Sequence, residues 1–335
     1  MMGAKHWIWA ALAVPLAPAV ADAQQADGFE DALREVFRDT AQRTKLGTGF
    51  QALSVFTATP GLAAAHYTLD GDDYEFDVRS IGFHPHTTFD APGRLKPYLE
   101  ANIGYAGASQ QGDIPVLSDD PTRFDIAFHT VTAVVGGGFE YAVTDKLAIR
   151  AVALGGFSHV DDTADITGPF SDVIAAAGDG IFFDASTTGY LVGGAVGAAY
   201  HTSLPGDLAL TAAARYNYMR DTVIQASDDV LRTASNIDIG SISAELDGPL
   251  PVRAFGRPLR WELFTGAAAL GDEVGTALGF DSMAQAGAGL RVKAPGSRCL
   301  GISARNWCMD HLSVRASVLT GNNLSGYTAG VRLGF

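Results

Sequence analysis

Downstream of Gln24 the chain lacks any uninterrupted apolar stretch approaching the ~20 residues that a membrane-crossing helix requires, which excludes a bundle of spanning helices. Positive charge is also scarce. Lys and Arg total 23 against 37 Asp and Glu, and the net charge of −14 would be repelled by nucleic-acid phosphates, so no nucleic acid is expected as a partner. Cysteine is limited to Cys299 and Cys308, in "CLGISARNWC", and no histidine stands beside them at a zinc spacing. In an exported chain such a close pair is expected to form a disulfide across a loop. There is no GxSxG nucleophile elbow. The glycines of "VVGGGFEY" (Gly136, Gly137, Gly138) are not followed by the Lys-Ser/Thr of a phosphate loop. They sit inside a strand pattern, where they would let a helix or a bulky side chain approach the wall. No cofactor is expected.

The first residues specify export. Lys5 and His6 precede the apolar run "WIWAALAVPLAPAV", and Ala21 and Ala23 supply the small residues of a cleavage site, so residues 1–23 read as a secretory signal peptide. Two prolines and its short length argue against an anchor helix. Residues 24–60 follow as an N-terminal helix and linker. Phe29, Leu33, Val36 and Phe37 keep the i, i+4, i+7, i+8 spacing of one helical face, with charge on the other. "GTGFQALSVFTATPG" then closes the section with turn residues, and "FQALSVFTA" at 50–58 offers a candidate extra strand.

From 61 to 335 the hydrophobic period is two. Strands are predicted near 62–70, 74–84, 95–106, 126–141, 146–158, 187–201, 207–221, 236–248, 258–269, 281–293, 310–320 and 325–335. In "RLKPYLEANIGY", Leu95, Leu99, Ile103 and Tyr105 face one way, and Lys96, Tyr98, Glu100 and Asn102 the other. A soluble sandwich would alternate too. The length of these segments decides against it, since soluble strands cluster at ~5–6 residues while membrane barrel strands need ~9–11. Tyr105, Tyr141, Tyr190, Tyr200, Tyr216, Tyr218, Trp261 and Tyr327 lie near segment ends, as an interfacial girdle would. The expected fold is all-β: a transmembrane antiparallel up-and-down β-barrel of about twelve strands, with ten or fourteen if a segment is merged or split. With Phe335 in the periplasm, the connections 107–125, 159–186 and 222–235 fall outside and are long, while 143–146 and 202–206 are tight periplasmic turns.

An open sheet would leave backbone groups unpaired in hydrocarbon, so the last strand must close on the first. The ending "SGYTAGVRLGF" places Tyr327, Val331, Leu333 and Phe335 on one face. It resembles the final strand of bacterial outer-membrane proteins, which implies that these residues form the signal read by the outer-membrane assembly machinery. The signal peptide, a short helix, about twelve strands and the closing "YTAGVRLGF" together resemble the solitary autotransporter-type β-domain. That resemblance implies a helix from Gly28 to Arg43 in or near the lumen. It also implies the outer membrane of a Gram-negative bacterium, with membrane lipid and lipopolysaccharide as partners, and a monomer. Only a few tens of residues precede the first strand, so export of a passenger is not expected.

Lys96, Glu100, Arg150, Arg215, Arg260, Glu262, Arg291, Arg315 and Arg332 all take the polar phase of their strands. They are expected either to pair with one another and with acids of the 28–43 helix, plugging the lumen, or to line an anion-favouring pore. A rim hydrolase would draw on "SHVDD", with His159, Asp161 and Asp162, but no protease signature accompanies it. His84 and His86 have no third metal ligand, and the Asp119–Asp120 and Asp228–Asp229 pairs read as solvated loops. A structural or interaction role without catalysis is the primary expectation; the pore and the hydrolase are the alternatives.

Overall fold

Period-two patterning becomes a closed ladder. The computed structural model describes residues 26–54, 65–70, 75–114, 121–254, 256–293 and 311–334. The signal peptide with Ala21 and Ala23, the Cys299–Cys308 loop, Asp119, Asp120 and Phe335 lie outside the described residues.

Among the described residues there are thirteen strands. They are β1 (Ala65–Asp70), β2 (Glu75–Phe83), β3 (His86–Thr88), β4 (Leu95–Ile114), β5 (Thr122–Ala142), β6 (Leu147–Thr167) and β7 (Ser186–Leu204). Then follow β8 (Leu208–Ala226), β9 (Ala234–Ala254), β10 (Arg257–Leu270), β11 (Ser282–Lys293), β12 (His311–Gly321) and β13 (Leu324–Gly334). β2 and β3 both pair with β4 and form one stave broken at His84 and Pro85, which leaves twelve staves. Each pairs antiparallel with its neighbour in sequence, and β1 pairs with β13, so the sheet returns to its start as an up-and-down barrel.

The alternation sorts the two faces as the sequence implies. Leu99, Ile103, Val135, Val192, Val196, Ile242, Leu263, Leu290, Val314, Val318 and Val331 are exposed on the exterior. On β5 Tyr141 and Val131 are ten residues apart, as are Tyr200 and Tyr190 on β7. At ~3.3 Å per residue and a tilt near 40°, ten residues rise ~25 Å, the height of a membrane barrel's apolar band. Beyond that band the exterior turns polar, with Ser109, Gln111 and Asp113 on β4 and Arg123 and Asp125 on β5.

Two expectations change. β4 to β9 run 19–21 residues, so much of the anticipated outer loops is strand: 107–114 and 122–125 of the first belong to β4 and β5, and the other two shrink to 168–185 and 227–233. Continuous cross-strand pairing past the band holds these ends extended. By contrast β10 to β13 have only 11–14 residues, so one side of the barrel stands taller.

The candidate strand at 50–58 is helical over 50–53, and its residues 55–58 lie outside the described residues. A helix α1 (Ala26–Thr44) is followed by a second, α2 (Leu46–Leu53), with Lys45 in the left-handed region between them. Phe50 to Leu53 therefore belong to α2. Further helices, α3 (Ser171–Gly178) and α4 (Asp272–Leu278), occupy two outer connections. Leu33, Phe37, Leu46, Phe50 and Leu53 are buried against β6, β7, β9, α3, α4 and the 229–231 turn. Burying five such side chains represents on the order of 10 kcal/mol of gross transfer free energy.

Candidate functional site: the lumen and its outer mouth

Inward side chains of β4 and β8 meet across the lumen. Glu100 and Arg215 form a bidentate pair, Nη2–Oε1 at 2.5 Å and Nη1–Oε2 at 2.8 Å, although three strands separate their own. Such paired charge-assisted bonds fix geometry as well as energy. Arg215 Nε also donates to Asn217 Oδ1 at 2.7 Å, and Tyr98 Oη to Glu100 Oε2 at 3.0 Å. Arg150 lies 4.9 Å over the Tyr98 ring and 2.6 Å from Glu140 Oε2. Gly136 makes room for this cluster, because a Cβ there would sit 2.9 Å from Glu100 Cγ and 2.7 Å from Leu154.

A second network lies on the β9–β12 wall. Arg315 reaches Glu262 at 2.8 Å and Glu245 at 2.6 Å, with its guanidinium 5.0 Å over Phe264. Arg291 pairs with Glu245 and Glu262 and stands 3.6 Å from Asp247. Arg260 bridges Asp247 at 2.7 Å and Asp207 at 2.8 Å. Glu262 is fully buried, which is tolerable only because two guanidinium groups hold it.

The remaining sequence candidates fall as follows. Lys96 lies opposite Glu140 in the ladder. Arg332 is placed in β13 opposite Ser313, and Leu333 opposite Leu312, with only their backbones described. Tyr327 and Val331 are exposed on the exterior. His84 and His86 flank Pro85 at the break between β2 and β3, on the face shared with Asn102 and Glu100. Among the described residues no group of three or more His, Cys, Asp or Glu is placed to hold a metal ion. The hydrolase constellation is not assembled. His159 sits outside, 2.8 Å from Thr188 Oγ1 and 3.6 Å from Asp161, whereas Asp162 alternates to the inner face and is buried.

The expected partnership between lumen arginines and helix acids is replaced by another. The lumen arginines with described side chains take strand and turn carboxylates, and it is the helix that supplies cations to the mouth. Arg38 binds Asp228 Oδ2 through Nη2 at 2.8 Å and Nε at 3.0 Å, and Arg34 approaches the same oxygen at 3.5 Å. Asp228 Oδ1 accepts from Val230 N at 3.1 Å, capping the 229–231 turn. Burial works against ionisation there, yet the Arg38 hydrogen bonds hold the Asp228 carboxyl below its ordinary value. The pair was not legible as such, because Asp228–Asp229 reads as a solvated loop until a helix is placed beside it.

Apolar contact completes the mouth. Phe37 meets Phe182 and Phe183 edge-on at 5.5 and 6.4 Å, and Phe50 meets Phe128 at 5.8 Å. Gln51 of α2 donates to the Asp221 carbonyl at 3.2 Å and accepts from Thr233 at 3.1 Å and from Ser235.

Neither a family model nor a curated protein matches the chain. Among solved structures it is similar to the β-domain of the Bordetella autotransporter BrkA, at 15% identity and a TM-score of 0.46 over 81% of this chain and 96% of that one. It is also similar to the translocator domain of the autotransporter NalP from Neisseria meningitidis, at 12% identity and a TM-score of 0.46, over 88% and 95%. With likeness at that level, the barrel assignment rests on the closed strand ladder and its apolar exterior.

Proposed function

We propose that this is an integral barrel of the outer membrane of a Gram-negative bacterium whose lumen is sealed, with a structural or interaction role and no catalysis of its own. The observation that carries the reading is the Glu100–Arg215 strut across the lumen. The buried α1–α2 cap at the outer mouth adds a second barrier in series. Every guanidinium whose side chain is described along the lumen is matched by a carboxylate, which lowers the free positive charge that an anion-selective path needs. The separation of Asp162 from His159 by the strand itself supports the absence of hydrolysis at the rim.

The experiment is conductance in planar bilayers. Purified full-length protein should insert without steady current in 1 M salt, as an order of concentration that amplifies any open pore. A steady, anion-selective current from the unaltered protein would overturn the sealed reading.

A further inference from the structure

Two aspartates inside the cap stand outside both salt-bridge networks. Asp162 lies five residues beyond Phe157 on β6, past the aromatic girdle, while Asp221, three beyond Tyr218 on β8 and opposite Leu191, lies at the level of the girdle. Asp221 is fully buried. Its Oδ2 accepts from Ser158 Oγ at 2.9 Å, and among the described residues its Oδ1 has no hydrogen-bond partner. Its backbone carbonyl holds Gln51 of α2 at 3.2 Å. Asp162 is 4% exposed. Its Oδ1 accepts from Ala185 N at 2.8 Å, its own N–H donates to Ala185 O at 2.9 Å, and among the described residues its Oδ2 has no hydrogen-bond partner. One carboxyl thus sits beneath α2 and the other beneath the end of the 168–185 connection, whose Phe182 and Phe183 pack on α1.

Among the described residues no cation faces either group. Around Asp221 stand Ser158 of β6, Leu191 of β7, Ser235 of β9 and Gln51 of α2, all uncharged. The charged groups nearest Asp162 are the carboxylates Asp161 and Asp184, with Phe128 opposite it on β5. Arg34 and Arg38 are committed to Asp228, Arg43 to Asp39 and Arg232 to Asp229. A buried carboxylate with an unpaired oxygen and no countercharge favours its protonated form. Burial with the two neighbouring acids pushes Asp162 up to about 7.

We propose that the outer cap is a proton-held closure, in which Asp221 and Asp162 keep α2 and the 168–185 connection seated while their carboxyls are protonated and release them when both ionise. Because both carboxyls bind protons more tightly in the seated state, their contribution is complete in acid. It is lost as pH rises, for Asp162 through about 7. Permeation on release would follow from the sealed lumen inferred above only if the inner strut yields too; the unseating itself does not depend on that reading.

The test is hydrogen exchange of the full chain in detergent at pH 5 and pH 8.5, corrected for base-catalysed chemistry. Amides of 46–53 and 171–185 should lose at least ~10-fold in protection at the higher pH, while those of β10 to β13 keep theirs. The double variant Asp162→Asn, Asp221→Asn cannot ionise and should give the same protection at both values. If it does not fold, Asp221→Asn alone should flatten the response of 46–53, and Asp162→Asn alone that of 171–185. Equal protection at both pH values in the unaltered protein, or an undiminished pH response in the variants, would overturn the proposal. A steady current at pH 5 would sink the sealed lumen and leave the exchange result standing.

Discussion

At the scale of single residues the lumen is governed by the cost of unpairing buried charge. Removing one partner of a buried ion pair leaves the other uncompensated, at ~3–5 kcal/mol, whereas replacing both with apolar groups is often neutral or better. Arg215→Ala should therefore lower the thermal midpoint in detergent markedly, because Glu100 loses both guanidinium hydrogen bonds and keeps that of the Tyr98 hydroxyl. Glu100→Leu with Arg215→Met should recover most of the loss, and a double variant as unstable as either single one would argue against the strut. Glycine 47 poses the opposite problem, one of space. A Cβ there would lie 2.6 Å from the Leu231 carbonyl and 2.9 Å from Thr233 Oγ1, so Gly47→Val should lift α2 from the 229–233 segment. The expected outcome is faster proteolysis within 26–54 with the barrel still resistant to heat unfolding, measured by time-course digestion.

At the scale of elements, strand existence and phase were legible because bilayer and lumen impose opposite polarities on alternate residues. Glu245 and Asp247 belong to that legible class, since they share the polar phase of "SISAELDG". The bounds of β10 to β13 were legible to within a residue, but not how far β4, β5, β6 and β8 run past the apolar band. Past the apolar band both faces of β4 to β6 can be polar outside and apolar within, as Phe124, Ile126 and Phe128 show, so the pattern resembles a loop that happens to alternate. α2 was missed for a related reason. "LGTGFQAL" holds two glycines in eight residues, a poor helix by propensity, and its helicity comes from burial of Leu46, Phe50 and Leu53. The cap is thus a tertiary structure shared between the N-terminal helices and the outer connections. Deleting residues 26–54 should leave a barrel that still migrates as a folded species but has protease-sensitive 168–185 and 227–233 connections. Connections as resistant as in the intact protein would show that the helices do not hold them.

At the scale of the whole molecule, one exterior face must meet hydrocarbon while its continuation above meets water. The same strand supplies both environments. Val135 is exposed on β5 within the band, whereas Asp125 is exposed on β5 ten residues further along, above it. An arginine on the lipid face costs ~2–4 kcal/mol near the bilayer midplane and falls to ~0–1 towards the interface. Val135→Arg should therefore destabilise the protein by an amount in the larger range. Asp125→Arg should cost little, and it also removes a like-charge pairing with Asp165 directly opposite. The measurement is reversible denaturant unfolding in phospholipid vesicles. If both substitutions cost the same small amount, the exterior of β5 is in water along its whole length and the barrel does not cross a membrane. If only Val135→Arg is costly, the boundary between the two media lies between these residues, near His129 and Val131, where the aromatic residues of the neighbouring strands also end.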